Sequence, residues 1–260
     1  MDQNRRLYER HSVATRYARR AELQAAETAL FERYRGDIAG RRILDVGVGS
    51  GRTTPFLLEL SSDYIGVDYS RTMIEQCRGR FPQASLQVAD ARDLSCFPDR
   101  SFDFVLFSHS GIDAIDHQGR LSVFSEVHRV LSTGALFLFS SHNRNFAIPR
   151  PWSAQHLDVN ALRHPVRFGR RIGAIAVGMV NYARHARCTE MHDEFCISID
   201  SAFRYGLIHY RIAPRAQKRQ LECAGFDRIV PFDLEGRPLA WSEAELRSGE
   251  PWFYYACRKA

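Results

Sequence analysis

The sequence predicts an α/β fold: a doubly wound, mostly parallel sheet interrupted by one insertion. Three observations predict it. Short, nearly continuous apolar runs recur at Ile43–Val46, Tyr64–Val67, Leu86–Ala89, Phe102–Phe107 and Ala135–Phe139. Runs apolar on both faces read as strands of a parallel sheet covered on both sides. Helical patterns alternate with these runs, which is the rhythm of a doubly wound sheet. The first run ends in an acid and then in three glycines at alternate positions, Asp45-Val46-Gly47-Val48-Gly49-Ser50-Gly51, a tight turn into a helix N-terminus.

The elements follow in order. Leu23, Ala26, Leu30, Phe31 and Tyr34 recur at three-to-four spacing, so a helix is expected over 13–35, ended by Gly36. Arg52-Thr53-Thr54-Pro55 opens the helix after the glycine turn. Met73, Ile74 and Cys77 mark a helix over 70–79. Leu121, Phe124, Val127 and Leu131 mark another over 118–131, with Gly134 as its terminator. After residue 140 the rhythm breaks. Segment 142–213 holds Pro149, Pro151 and Pro165, a short helix over Ile172–Val180 despite Gly173 and Gly178, and antiparallel strands at Glu194–Ile199 and Leu207–Ile212. Pro214 suits the first turn of a helix running to Ala224, with Gly225 past its end. Strands at Asp227–Phe232 and Trp252–Cys257 close the chain. Four segments result: 1–36, 37–141, 142–213 and 214–260.

The 260 residues suffice for one sizeable core with an inserted subdomain. No run approaches the roughly 20 apolar residues that span a bilayer, so no membrane partner is expected. The N-terminus is polar and does not read as a secretory signal. Six cysteines without a CxxC pair suggest neither a zinc site nor a disulfide framework, so a reducing cytoplasm and no metal are expected. Cys96 reads as structural. The net charge of +6 is carried by segment 143–190, which has eight arginines against Asp158 and Glu190. Such a run is either a solvated face or a patch for an acidic substrate or nucleic acid.

The glycine turn narrows the ligand. A dinucleotide fingerprint needs a small residue where Arg52 stands, and no Gly-Lys-Ser/Thr follows to make a P-loop. Asp68 ends the second strand, 23 residues beyond Asp45, where an acid accepts both ribose hydroxyls. Asp90-Ala91 follows the third strand, where a carboxylate accepts from the adenine amine and the next N–H meets the ring. Phe107-Ser108-His109-Ser110 ends the fourth strand, opening toward the pocket. With these residues the chain resembles a class I S-adenosylmethionine-dependent methyltransferase, closely over 40–141 and loosely over 214–258. Asp45 to Gly51 looks like the family's first motif. Val67-Asp68-Tyr69-Ser70-Arg71-Thr72-Met73 looks like the second, and Asp90-Ala91 like the third. Phe102–Phe107 looks like the fourth strand, and Glu126–Leu131 with Gly134 like the approach to the fifth.

The resemblance implies a seven-stranded sheet with its last strand antiparallel and a substrate-binding cap inserted after strand five. It implies S-adenosylmethionine as cofactor, held by Asp45, Gly47, Gly49, Gly51, Asp68, Tyr69, Met73, Asp90, Ala91 and Ser108. The N-terminal helix would act as a lid, with Tyr8, Arg16 and Tyr17 near the cofactor. No Asn/Asp-Pro-Pro-Tyr and no Pro-Cys follows strand four, which argues against methylation of DNA bases.

Methyl transfer from a sulfonium is an in-line displacement that needs alignment, and a base only when the nucleophile must lose a proton. His109 and His142, after strands four and five, are the candidate bases. Trp152, His156, Arg163, Arg167, Arg170, Arg171, Tyr182, His192, Tyr205 and His209 offer aromatic walls, polar groups and anion forks in the cap. Asp113 and Asp116 are expected only to cap the following helix. The expected activity is O- or N-methylation of a small polar or anionic acceptor, such as a natural product, a sugar or a carboxylate-bearing molecule, by a monomer or homodimer. An RNA-modifying methyltransferase is the rival, weakened by an excess that is arginine rather than lysine and by the lack of a nucleic-acid module. A non-methylating cofactor-binding scaffold is the third reading.

Overall fold

The computed structural model describes residues 2–18, 22–153 and 165–260. The chain opens with α1 (Asp2–Tyr8), α2 (His11–Ala18), α3 (Ala25–Arg33) and α4 (Arg35–Ile38). The single helix expected over 13–35 is therefore broken. Gln24 starts α3 afresh through a capping box, in which its N–H donates to Glu27 Oε2 at 2.8 Å. Gly36 ends nothing, because it lies inside α4.

The sheet then builds as expected: β1 (Ile43–Val46), α5 (Thr54–Leu60), β2 (Tyr64–Asp68), α6 (Arg71–Arg80), β3 (Ser85–Val88), β4 (Phe102–Phe107), α7 (His117–Val130) and β5 (Leu131–His142). Strands β3, β2, β1, β4 and β5 lie side by side, all parallel. Two expectations need correction. β3 is an edge strand in which only Leu86 is buried, so its apolar run is not covered on both faces. Gly134 does not end α7, since β5 already begins at Leu131. It sits where the β4–β5 register shifts, Phe102 lying opposite Leu131 but Phe104 opposite Leu136.

The insertion carries α8 (Pro165–His185), 21 residues rather than the nine expected over Ile172–Val180. A small antiparallel sheet follows: β6 (Glu190–Met191), β7 (Phe195–Asp200) and β8 (Leu207–Ile212), with the turn α9 (Ala202–Tyr205) between the last two. Strand β6 was not foreseen. The chain returns through α10 (Pro214–Cys223), β9 (Phe226–Phe232), the unforeseen α11 (Trp241–Leu246) and β10 (Trp252–Lys259). β10 inserts antiparallel between β5 and β9 and completes seven strands.

Alternate residues of the central strands feed two cores. Val105, Phe107, Phe137 and Phe139 pack with Val123, Phe124 and Val127 of α7 on one face. Phe104, Leu106, Leu136 and Leu138 pack with Leu30, Leu57 and Ile74 on the other. Each fully buried side chain of this size contributes about 1.5–3 kcal/mol. This double-sided clamp fixes the carboxyl ends of β1, β2 and β4, where a doubly wound sheet binds its ligands.

Candidate active site

The glycine turn is held from below. Asp45 is buried and accepts from Thr53 Oγ1 at 2.7 Å and from the Tyr64 hydroxyl at 3.1 Å. It lines the cavity above β1 but spends its hydrogen bonds fastening the turn. Gly51 has a φ of +82°, and a Cβ there would stand 2.7 Å from Cys77 Sγ and from the Phe81 ring, so only glycine lets α6 pack this close. Asp68 ends β2 with Oδ2 accepting from the Gly49 amide at 3.0 Å and Oδ1 from the Ser70 amide at 2.8 Å. Burial pushes its pKa up to about 6, against the two amides, which lower it. Asp90 lies past β3, with both carboxylate oxygens engaged by Arg92 at 2.7 and 2.9 Å.

Asp45, Asp68 and Asp90 line one cavity together with Gly47, Gly49, Tyr69, Met73, Ala91, Ser108, Tyr17 and His109, whereas Gly51, expected at the cofactor, lies outside the lining and serves the packing of α6. The cavity fits S-adenosylmethionine. Gly49 meets only the Gly47 carbonyl, 3.9 Å from where a Cβ would sit, so backbone is open to a close approach. Asp68 and Asp90, after β2 and β3, are in its lining, where the resemblance implies the ribose and the adenine. Arg52, also in the lining, is held by Glu27, Nη2 donating to Oε1 at 2.6 Å and to Ser108 Oγ at 3.1 Å. Glu27 lies in α3, 25 residues before Arg52, a distance at which sequence spacing carries no pairing signal.

A second cavity, of about 370 Å³, adjoins the first through Tyr8, Tyr17 and His109, which line both. His109 has a left-handed backbone, φ +52°, a strained conformation that turns it across the end of β4. His142, at the end of β5, lines the second cavity. Its backbone N–H donates to Asp113 Oδ2 at 2.6 Å, and its Nδ1 pairs with the same oxygen at 2.8 Å. Asp113 is fully buried and also accepts from Arg120 Nη1 at 2.6 Å and Ser141 Oγ at 2.8 Å. Burial alone would raise its pKa; the Arg120 charge and His142 outweigh that and hold it below the ordinary carboxylate value. Burial lowers the His142 pKa, with Asp113 pulling the other way. Asp113 was expected only as a cap. Asp116 fills that role, accepting from the Gly119 amide at 2.8 Å.

His209, from β8, stacks on His142 at 4.6 Å between ring centroids and stands 3.4 Å from Asp200 Oδ2 without hydrogen-bond alignment. His142, His209 and Asp200 bring one ligand atom each within 4.8 Å, a set able to hold a cation. Arg211 Nη2 already donates to Asp200 Oδ2 at 2.6 Å, so the positive charge at that carboxylate comes from the protein.

Several expected cap residues line neither cavity. Trp152 is exposed and packs edge-on against Tyr182. His192 stacks on Phe195 at the outer edge of the small sheet. Tyr205 is buried behind the wall, its hydroxyl donating to the Pro149 carbonyl at 2.8 Å. Arg171, half-buried in α8, is also outside both linings. His156 and Arg163 lie outside the described residues, as do the side chains of Arg16 and Arg167. The cavity instead uses Asp200, Arg211, Phe146, Ile148 and Trp252, to which no motif pointed.

Residues 43–134 match the family model described as a methyltransferase domain. The chain is 36% identical over 118 residues to a fatty-acid O-methyltransferase of Mycolicibacterium smegmatis, covering 44% of this chain and 41% of that protein. It is 32% identical over 119 residues to a demethylmenaquinone methyltransferase of Tropheryma whipplei, covering 44% and 48%. The matches thus span less than half the length of these curated relatives. Among solved structures, a TehB-like S-adenosylmethionine-dependent methyltransferase from Corynebacterium glutamicum superposes with a TM-score of 0.56 at 15% identity, covering 96% of this chain and 99% of that one, a likeness of fold. Residues 43–134 thus carry a stretch similar to a methyltransferase domain, and the described chain shares its fold with S-adenosylmethionine-dependent methyltransferases.

Proposed function

We propose that the protein methylates an oxygen or nitrogen of a small-molecule acceptor seated in the second cavity, with His142 as the proton acceptor. The observation that carries this reading is that the two cavities adjoin at Tyr8, Tyr17 and His109, with the His142–Asp113 pair on the acceptor side. When bound, S-adenosylmethionine supplies an activated methyl group.

The chain's own residues do the rest. Arg52, Ser108, Asp68 and Asp90 hold the two ends of the cofactor. Tyr8 and Tyr17 close the junction and exclude water, which aligns the reactants. Asp113 accepts the Nδ1–H of His142, so Nε2 keeps its lone pair for the acceptor's proton. Burial keeps the imidazole neutral until it takes that proton, and Asp113 then stabilises the imidazolium. Residues 142–213 act as the cap and 1–36 as the lid. The cavity lining sets Arg211 against Asp200, and none of the described arginines of segment 143–190 reaches it. This balance favours a neutral hydroxyl- or amine-bearing acceptor over the anionic one suggested by the charge distribution.

The test is a panel of phenols, alcohols, amines and carboxylic acids, assayed with the wild type, His142→Gln and Asp113→Asn. Both variants should lose about 100-fold or more in kcat on a protonated nucleophile while cofactor affinity by calorimetry stays within about twofold. Undiminished turnover in His142→Gln would remove the base assignment. Failure of the whole panel with the wild type would remove the small-molecule reading.

A further inference from the structure

The described arginines of segment 143–190 and the described side chains of α8 line neither cavity, and their surface has its own chemistry. Phe168, Ile172, Ala176, Met179 and Ala183 recur three or four residues apart and form one exposed stripe along α8. Ile172 is 50% exposed and Met179 48%, with Val180 exposed beside them. The opposite side of the helix is already used. A Cβ at Gly178 would come 3.1 Å from the Tyr205 ring. Asn181 Nδ2 donates to the Arg204 carbonyl at 2.9 Å, and His185 Nδ1 pairs with the Tyr205 carbonyl at 3.0 Å. The apolar stripe therefore points away from the fold.

Its charge says what it suits. Residues 165–189 contain five arginines and no Asp or Glu. Arg170, Arg184 and Arg187 are exposed. Trp152, 56% exposed, stands beside Tyr182 of the same helix with the Arg150 guanidinium over its ring. An exposed apolar stripe on a helix whose exposed charges are all arginine, with a tryptophan packed on the same helix, is the pattern of a helix that lies in a bilayer interface. A second copy of this face would bring arginine against arginine, and an RNA backbone would leave the apolar stripe in water.

We propose that α8 docks flat on a lipid surface bearing anionic headgroups, its stripe in the acyl boundary and its arginines at the phosphates. This revises the expectation of no membrane partner, which rested on the lack of a spanning segment. Among the described residues no helix is long and apolar enough to cross a membrane, and interfacial docking requires only one apolar face. The docking does not depend on the methyl-transfer reading.

The test is co-sedimentation of the full chain with phosphatidylcholine vesicles, with and without phosphatidylglycerol, at low and moderate salt. Binding should need phosphatidylglycerol and weaken with salt. Ile172→Glu/Met179→Glu and Arg170→Gln/Arg184→Gln should each lose about tenfold or more in vesicle affinity. Both pairs are exposed, so circular dichroism and cofactor affinity should match the wild type. Absence of vesicle binding, or equal binding to both vesicle types, overturns the proposal. So does a concentration-dependent dimer broken by the Glu pair, which would make the face a self-interface. RNA binding lost in the Arg pair but kept in the Glu pair, without vesicle binding, would likewise make it a nucleic-acid face.

Discussion

Asp68 shows how burial and function pull one carboxylate in opposite directions. Its oxygens accept two backbone amides, yet burial still lifts its pKa to about 6. In the proposed ribose contact the hydroxyls need the ionised form as acceptor, so protonation would compete with cofactor binding. Below the folded pKa each unit of pH removes about tenfold of ionised Asp68; above it the form is saturated. Cofactor affinity measured by calorimetry should therefore tighten by about tenfold from pH 5 to pH 7 and level off beyond. Asp68→Asn should bind about 10–100-fold more weakly, the worth of charge-assisted hydrogen bonds, and should lose that pH dependence. Equal affinity in the variant would remove Asp68 from the ribose contact. Asp113 teaches a different point at the same scale. Its partners Ser141 and His142 lie 28 and 29 residues away, and Arg120 sits on a helix where arginine usually faces water. A single carboxylate after a strand reads as a cap because nothing local distinguishes it from one.

The N-terminal helices work as a strap between the two halves of the site. Ser50 Oγ donates to the Ala14 carbonyl at 2.9 Å, and Met73 packs with Val13 and Ala14, so α2 lies on the cofactor wall. α1 reaches the small sheet: Asn4 Nδ2 donates to the Ile208 carbonyl at 2.6 Å, and the Ile208 amide donates back to Asn4 Oδ1 at 3.2 Å. Asn4→Ala would leave both buried Ile208 groups without that partner, at about 1–3 kcal/mol of local stability. Limited proteolysis before α3 should quicken several-fold, and cofactor affinity should drop by a similar factor. An unchanged digestion pattern would show that the strap is held elsewhere. Why this element was read only in outline is physical. β1, β2 and β4 were legible because burial leaves their runs nearly wholly apolar. β3 is legible from its apolar run although it is an exposed edge, whereas the two-residue β6 carries too little burial to read, and the break at Gln24 depends on a capping box within a continuous helical pattern. The glycine turn and the acids at the strand ends are legible as one cavity wall because they form a short local pattern. The pairs Glu27–Arg52, His142–Asp113 and Arg211–Asp200 were not, because each is assembled from separate elements.

At the scale of the whole molecule, the buried acid beneath the glycine turn ties global stability to pH. Asp45 is buried between Thr53 and Tyr64, and burial raises its pKa to about 7, against the two hydroxyls, which lower it. An acid whose folded pKa is raised contributes stability that is full below its unfolded pKa, near 4, and is lost as pH rises through the folded value. His142, His117 and His128 act with the opposite sign in part of this window, because burial lowers their pKa values. The total pH profile therefore does not isolate Asp45, but a difference between variants does. Asp45→Asn keeps the shape and an acceptor oxygen and removes the titration. Any fixed cost of placing the amide is the same at every pH, so only the carboxylate's ionisation tilts the comparison. By pH 5 part of the Asp45 contribution is already gone, and by pH 8 the remaining loss is about two pKa units' worth. Unfolding free energies from denaturant titrations of the cofactor-free protein should thus move in favour of Asp45→Asn by about 2–3 kcal/mol between pH 5 and pH 8. A difference that stays flat across that range would mean that Asp45 is already ionised in the fold, and that the turn is anchored by a charged rather than a neutral carboxyl.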